Sequence, residues 1–263
     1  MLVVGLTGGI ASGKSTVSSL LKSQNIPLID LDILARQAVA PNSYALSALV
    51  SHFGDDILHP SGELNREKLG SIIFGNEKER RVLNSIVHPA VRRLLAWELV
   101  KCWFRGEKVA VVDAPLLIEA GLWKMCGAIV VVYCSETLQL QRLQTRNSLS
   151  VADARARLSS QAPLSSKLVY ADYVIDNSGP KGDLDAQVVQ VVTKLHAKAG
   201  WSWLVSWLLP PVGLLRGVLR VGWRLWVQGV GKERRTKHGT RGEKKGEEIE
   251  LKERRSRNGS GRL

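Results

Sequence analysis

The chain has 263 residues, a formal net charge of +13 and a hydrophobic content of 44%. That length allows one domain with an appendage or two small domains, and the apolar share is ordinary for a soluble globular protein. The charge does not describe a nucleic-acid binder: residues 200–263 hold 15 Lys and Arg against 6 Asp and Glu, a tail of +9, and the first 199 residues carry only +4.

Residues 2–6 form a short apolar, β-branched run, predicted as a buried parallel strand. It leads into Gly8, Gly9, Ile10, Ala11, Ser12, Gly13, Lys14 and Ser15, a Gly-x-x-x-x-Gly-Lys-Ser phosphate loop, and the spacing through Thr16 to Ser23 suits a helix. A second short strand is predicted over 27–30, then helices over 31–39, 43–53 and 66–74. Residues 76–103 read as one long helical stretch with a break expected near His88-Pro89. An apolar strand over 109–113 ends in Asp113, and 128–134 reads as a fully buried strand. Helices follow over 135–147 and 151–160, then a last strand over 173–176 and a last helix over 184–198. Strands alternating with helices imply an α/β fold with a parallel sheet wrapped on both faces. Ligands in such sheets bind at the carboxyl ends of the strands, where residues 8–15, Asp32 and Asp113 all fall.

Beyond residue 199 the composition changes. Residues 199–215 contain no charged side chain, include Pro210-Pro211, and open a stretch in which five of the eight Trp lie between Trp201 and Trp226. Arg216, Arg220 and Arg224 recur at four-residue spacing. The uncharged run is short for a span of ~20 residues, and its prolines interrupt it. Residues 200–230 are therefore expected to lie at a membrane surface as a hairpin-like or amphipathic segment, with aromatic rings among headgroups. A helical extension packed on the core is the alternative. From 231 onward the Lys/Arg/Glu/Gly-rich sequence is expected to be disordered. Cys102, Cys126 and Cys134 show no Cys-x-x-Cys spacing and fit reduced core thiols better than a disulfide framework or a zinc site. The first strand is predicted from residue 2, so no signal or transit peptide is expected unless its cleavage destroys that strand. The expected location is cytoplasmic, on a cytosol-facing membrane surface such as the outer mitochondrial membrane or the endoplasmic reticulum.

The chemistry starts at the loop. A glycine loop feeding a helix N-terminus aims backbone N–H groups and a partial positive charge at one spot, which suits a polyphosphate. Lys14 would reach the β/γ-phosphates and the Ser15 hydroxyl would ligate Mg²⁺. Asp113, at the tip of an apolar strand, has the Walker-B arrangement for the metal; an N-cap is the alternative. Asp30 and Asp32 follow the second strand: Asp30 suits a helix cap at least as well as chemistry, and Asp32 suits acceptance of a proton from an attacking hydroxyl. Basic residues cluster at Arg142, Arg146, Arg155, Arg157 and Lys167. Arg142 and Arg146 share one helical face and suit a flap over developing phosphoryl charge, whereas Arg155 and Arg157 read as surface. Asn-Lys-x-Asp is missing, and Asp113 is followed by Ala-Pro-Leu instead of a switch Asp-x-x-Gly. This favours a small-molecule kinase over a GTP-driven switch.

The sequence resembles the dephospho-coenzyme A kinases. The matching stretches are collinear over residues 2–199: Gly5 to Thr16, Ile29-Asp-Leu-Asp32 with Ala35-Arg36, Asn65-Arg66, Ile86-Val-His88-Pro89, Val112-Asp-Ala-Pro-Leu-Leu-Ile-Glu119-Ala-Gly121, Gln141-Arg142 with Arg146, Gln161-Ala-Pro with Lys167, and Ala171-Asp172-Tyr-Val-Ile-Asp176-Asn177-Ser-Gly179. The resemblance implies a P-loop NTPase fold and transfer of the ATP γ-phosphoryl group to the ribose 3′-hydroxyl of dephospho-coenzyme A, with Asp32 as base. It implies a kinase unit over 1–199, a helical substrate-side insertion over about 36–108, a lid over about 142–167, and Asn177 to Gly179 near the adenine. Asn65 departs from the acidic residue common at that position. Two other readings compete: a P-loop kinase for another small acceptor such as a nucleotide or sugar, and a membrane-attached nucleotide-binding protein without turnover.

Overall fold

Alternation along the central strand decides the layers. Leu2, Val4 and Leu6 face one way, Met1 and Val3 the other, and each set enters a separate apolar core. The computed structural model describes residues 1–160 and 163–200. The described strands are β1 (Leu2–Gly8), β2 (Leu28–Asp30), β3 (Val109–Asp113), β4 (Ala128–Tyr133) and β5 (Tyr173–Asp176). All pair in parallel, in the order β2-β3-β1-β4-β5. β3 is buried along its whole length, as expected for a strand covered on both faces.

On one face, Val17 and Leu21 of α1 (Lys14–Ser23) and Leu184, Val188 and Leu195 of α9 (Lys181–Ala199) pack on Val4, Val111 and Val130. On the other, Leu95 and Cys102 of α5 (Glu77–Phe104) pack on Ala110, Val112, Ile129 and Val131. A third core lies away from the sheet. There α3 (Tyr44–Phe53), α4 (Arg66–Ile73) and the first half of α5 enclose Ala45, Leu49, Leu69, Leu83 and Val87. The helix α2 (Leu31–Ala38) leads from β2 toward this unit.

The helix starts follow short polar caps. Ser43, Asn76 and Ser135 each accept a backbone N–H from the first turn of α3, α5 and α6 (Glu136–Asn147), and Ser150 does so for α7 (Val151–Ser159). Asn65 caps α4, its side-chain oxygen accepting the Lys68 N–H at 3.0 Å. Asn and Asp are about equal as caps, which accounts for the departure at this position.

Two expectations differ in detail. α5 runs unbroken through Pro89 for 28 residues. A proline removes one helical hydrogen bond, and here packing holds the helix on both sides of it, with Ile86 and Ala90 in the outer core and Val91 and Leu94 in the sheet core. A short helix, α8 (Leu164–Leu168), lies between α7 and β5. No disulfide links Cys102, Cys126 and Cys134, and all three are buried. Among the described residues no helix is long and apolar enough to cross a membrane. The expected membrane segment over 200–230 (save Gly200) and the tail over 231–263 lie outside the described residues.

Candidate active site

The order β2-β3-β1-β4-β5 makes β1 the strand at which the connections change direction, the usual ligand crevice of a parallel sheet. The loop after β1 is tied down from behind. Gln139 Nε2 donates to the Ile10 carbonyl at 2.8 Å, and Asn177 Nδ2 donates to the Ser12 carbonyl at 2.8 Å. In a trans peptide the C=O and the following N–H point in opposite directions. With those carbonyls held against the protein, the N–H groups of Ala11 and Gly13 face outward into the crevice. Gly13 sits at φ 87 as the cap residue of α1, a left-handed conformation natural only to glycine. A Cβ there would lie 2.0 Å from Asn177 Nδ2. Ala11 is also left-handed, at φ 57, a strained state of the kind that surrounding contacts must hold.

Residues 8–15 line a cavity of about 430 Å³ together with Pro115, Arg142 and Arg146. Thr16 lies just inside α1, its N–H bonded to the Gly13 carbonyl at 3.0 Å. Lys14 Nζ bonds Asp113 Oδ1, and the other carboxylate oxygen of Asp113 accepts the Ser18 hydroxyl at 2.7 Å. Asp113 is 5% exposed, so a counter-charge beside it is required. The structure thus brings the loop lysine and the strand-end carboxylate together. Among the described residues no group of three His, Cys, Asp or Glu could hold a metal by itself. The Asp113 carboxylate and the Ser15 hydroxyl fit Mg²⁺, which takes few protein ligands and completes its shell with phosphate oxygens and water.

Arg142 Nη2 donates to the Asn177 carbonyl at 2.9 Å, while its Nη1 is buried without a hydrogen-bond partner next to Gly13. Arg146 is more exposed and bonds Asn147 at 3.0 Å. Asn177, 8% exposed, supports the loop from behind, and Gly179 lies against Asp183 in the first turn of α9. Neither is among the residues lining the loop cavity. Near the loop, burial pushes the Cys134 thiol up from its ordinary range, against the lowering effect of Arg142 beside it.

Asp30 is the cap of α2, accepting the N–H groups of Asp32 and Ile33 at 2.8 and 3.2 Å. Asp32 is free of that role and lines a second, larger cavity of about 560 Å³. Its walls are mainly apolar, from Leu64, Leu69, Ile73, Val87 and Leu95, with Arg66, His88 and Arg92 as its basic residues. Among the described residues those three side chains have no hydrogen-bond or ion-pair partner. Pro115 lines both cavities. Its carbonyl accepts the Thr7 hydroxyl at 3.0 Å and Lys167 Nζ at 2.8 Å.

The dephospho-CoA kinase family profile matches residues 2–183. The chain belongs to the dephospho-CoA kinase family. It is similar to the dephospho-CoA kinase of Arabidopsis thaliana, 46% identical over 201 residues, covering 76% of this chain and 87% of that one. Its likeness to the dephospho-CoA kinase of Geobacillus kaustophilus is 44% over 196 residues, 74% of this chain and 98% of that one. Among solved structures, TT1252 from Thermus thermophilus superposes with a TM-score of 0.64 at 31% identity, over 73% of this chain and 96% of that one. The dephospho-CoA kinase from Campylobacter jejuni gives a TM-score of 0.60 at 28% identity, over 74% and 98%. Family membership makes this chain an ATP-using kinase that phosphorylates dephospho-CoA in coenzyme A biosynthesis.

Within this dephospho-CoA kinase framework several residues were not legible as site components. Gln139 and Ser18 reach the loop and Asp113 by tertiary approach, although Ser18, one helical turn after Lys14, carried a spacing signal. Arg92 sits one turn after His88 on α5 and carried the same kind of signal. Lys167 stood in the basic cluster of residues 142–167 and in a family-matching stretch without a role of its own, and it is 1% exposed.

Proposed function

We propose that the loop cavity is the ATP site and the larger cavity the acceptor site, with the γ-phosphoryl group passing to the ribose 3′-hydroxyl beside Pro115. The observation that carries this reading is the shared wall: Pro115 lines both cavities, with Lys14 on one side and Asp32 on the other. Asp32 accepts the proton of the attacking hydroxyl. Lys14 exchanges Asp113 for the β/γ-phosphates, and Arg142 Nη1, buried and unpartnered, takes a nucleotide oxygen with Arg146 beside it. Ser15 and Asp113 hold Mg²⁺, which when bound neutralises phosphate charge. Asn177 and Gly179 act near the adenine end, Asn177 through Ser12.

The larger cavity supports the acceptor assignment through its composition. Dephospho-CoA carries a diphosphate joined to a long arm of alkyl segments linked by two amides. Arg66, His88 and Arg92 suit the diphosphate and the Leu/Ile/Val lining suits the arm. Residues 36–108 then form the acceptor-side unit and 142–167 the lid. A cytosolic, membrane-surface location through residues 200–230 rests on the five Trp and the Arg216/Arg220/Arg224 series.

The test is a purified full-length assay with ATP, Mg²⁺ and dephospho-CoA, with product followed by mass spectrometry. The expected result is stoichiometric ADP and 3′-phosphorylated product. ADP without that product, or product formed from an unrelated acceptor such as a sugar at equal efficiency, would overturn the assignment.

A further inference from the structure

A lysine at 1% exposure needs fixed partners for its charge, and Lys167 has two. Its Nζ donates to the Pro115 carbonyl at 2.8 Å and pairs with Glu119 Oε1 at 3.0 Å. Both belong to the segment joining β3 to the turn at Leu122–Met125. That segment is held on its other side by β1: Thr7 donates to the same Pro115 carbonyl at 3.0 Å, and the Ala114 N–H bonds the Leu6 carbonyl at 3.0 Å. Farther along, Trp123 and Tyr170 meet edge to face at 4.8 Å. Lys167 is the one cation among these ties, and it comes from α8, at the end of the lid stretch.

We infer that Lys167 is a positioning residue that fixes the Pro115 segment as the partition between nucleotide and acceptor, and thereby directs the phosphoryl group to the acceptor hydroxyl instead of water. The inference rests on the assignment of the two cavities made above. In transfer and in hydrolysis alike, the bond from the γ-phosphorus to the bridging oxygen breaks and a bond to the incoming oxygen forms, while that oxygen gives up a proton. The two outcomes differ only in whose oxygen arrives. Geometry at Pro115 therefore shows itself in the ratio of transfer to hydrolysis, a quantity that general loss of folded enzyme does not change.

The experiment measures acceptor-dependent transfer and acceptor-free ATP hydrolysis on the full-length protein. Lys167→Met is expected to lower the transfer-to-hydrolysis ratio about tenfold or more while KM for ATP stays near wild type, since small misplacements of a reacting group have effects of this size. Thr7→Val removes the other donor to the Pro115 carbonyl and is expected to shift the ratio in the same direction. The double variant is expected to be non-additive, because both act through one carbonyl. Glu119→Gln, which keeps the shape and removes the charge, is expected to give a smaller shift and covers the case in which Lys167→Met does not fold. A folded Lys167→Met with the wild-type ratio overturns the inference, as do unchanged ratios in both Thr7→Val and Glu119→Gln. Failure of the wild-type protein to phosphorylate dephospho-CoA would instead overturn the cavity assignment.

Discussion

Lys14 and Asp113 form an ion pair at the carboxyl end of the sheet, joining the phosphate loop to the end of β3. The lysine is pre-placed by this pair, and the buried carboxylate is neutralised by it. On the proposed nucleotide assignment, phosphate draws Lys14 from Asp113, which couples nucleotide binding to the state of Asp113. Lys14→Ala is expected to cost at least ~2–3 kcal/mol of transition-state stabilisation, roughly 30- to 150-fold in kcat/KM. Steady-state kinetics check it, and full turnover by the variant would remove Lys14 from the chemistry.

Asp32 gives only its backbone N–H to the cap bonds at Asp30, and its carboxylate takes no part in them. Asp32→Asn keeps the shape and removes the base, and is expected to lower turnover ~10²-fold or more with ATP affinity nearly intact. Parallel measurement of nucleotide binding by calorimetry separates the roles: equal losses in both would make Asp32 a metal ligand.

Arg66 and Arg92 line the larger cavity beside His88, and among the described residues neither arginine side chain has an ion-pair partner. Arg66→Met and Arg92→Met are each expected to raise KM for dephospho-CoA about tenfold, in the range of one hydrogen bond to a charged group. KM for ATP should not move. With adenosine as acceptor, which lacks the diphosphate, the same variants should behave like wild type.

Gly13 is held at φ 87 with no room for a Cβ beside Asn177. Gly13→Ala is expected to abolish measurable nucleotide binding. Asn177→Ala leaves the Ser12 carbonyl without its partner, a loss of about 1–3 kcal/mol, and should weaken ATP binding without altering KM for the acceptor. Retention of wild-type ATP affinity by Asn177→Ala would mean that the loop keeps its shape without this tie.

Residues 200–230 are expected to carry full-length protein onto anionic liposomes in a flotation assay, with basic residues beyond 231 adding about 1 kcal/mol per charge near the surface. A 1–199 truncation should stay in solution and remain active, and high salt should weaken binding without abolishing it. An insoluble or inactive truncation would assign the tail to the folded core.

The phosphate loop was legible because its chemistry is contiguous: Gly13, Lys14 and Ser15 follow an apolar strand and open a helix, and Asp113 ends a run of Val and Ala. The cap at Asp30 was legible as an alternative because a carboxylate just before an apolar helical repeat has local N–H groups to accept. Lys167 was not. In sequence it differs little from Arg155 and Arg157, and what distinguishes it is a carbonyl 52 residues away. Asn177 carried a family signal for the adenine end, yet its side-chain amide is spent on Ser12, a contact that exists only once β5 lies beside β4. The break expected at Pro89 reflects a local rule that packing on both sides overrides.

The helix α5 has a mechanical consequence. Its first half builds the core away from the sheet and its second half covers the sheet, so the two units share one 28-residue strut, roughly 42 Å long. Excising residues 36–108 would strip one face of the sheet as well as the acceptor cavity. The helical unit is thus not a detachable module: it is expected to melt with the sheet in one cooperative step, and a swing of it against the loop would bend α5 where Pro89 has already removed a hydrogen bond.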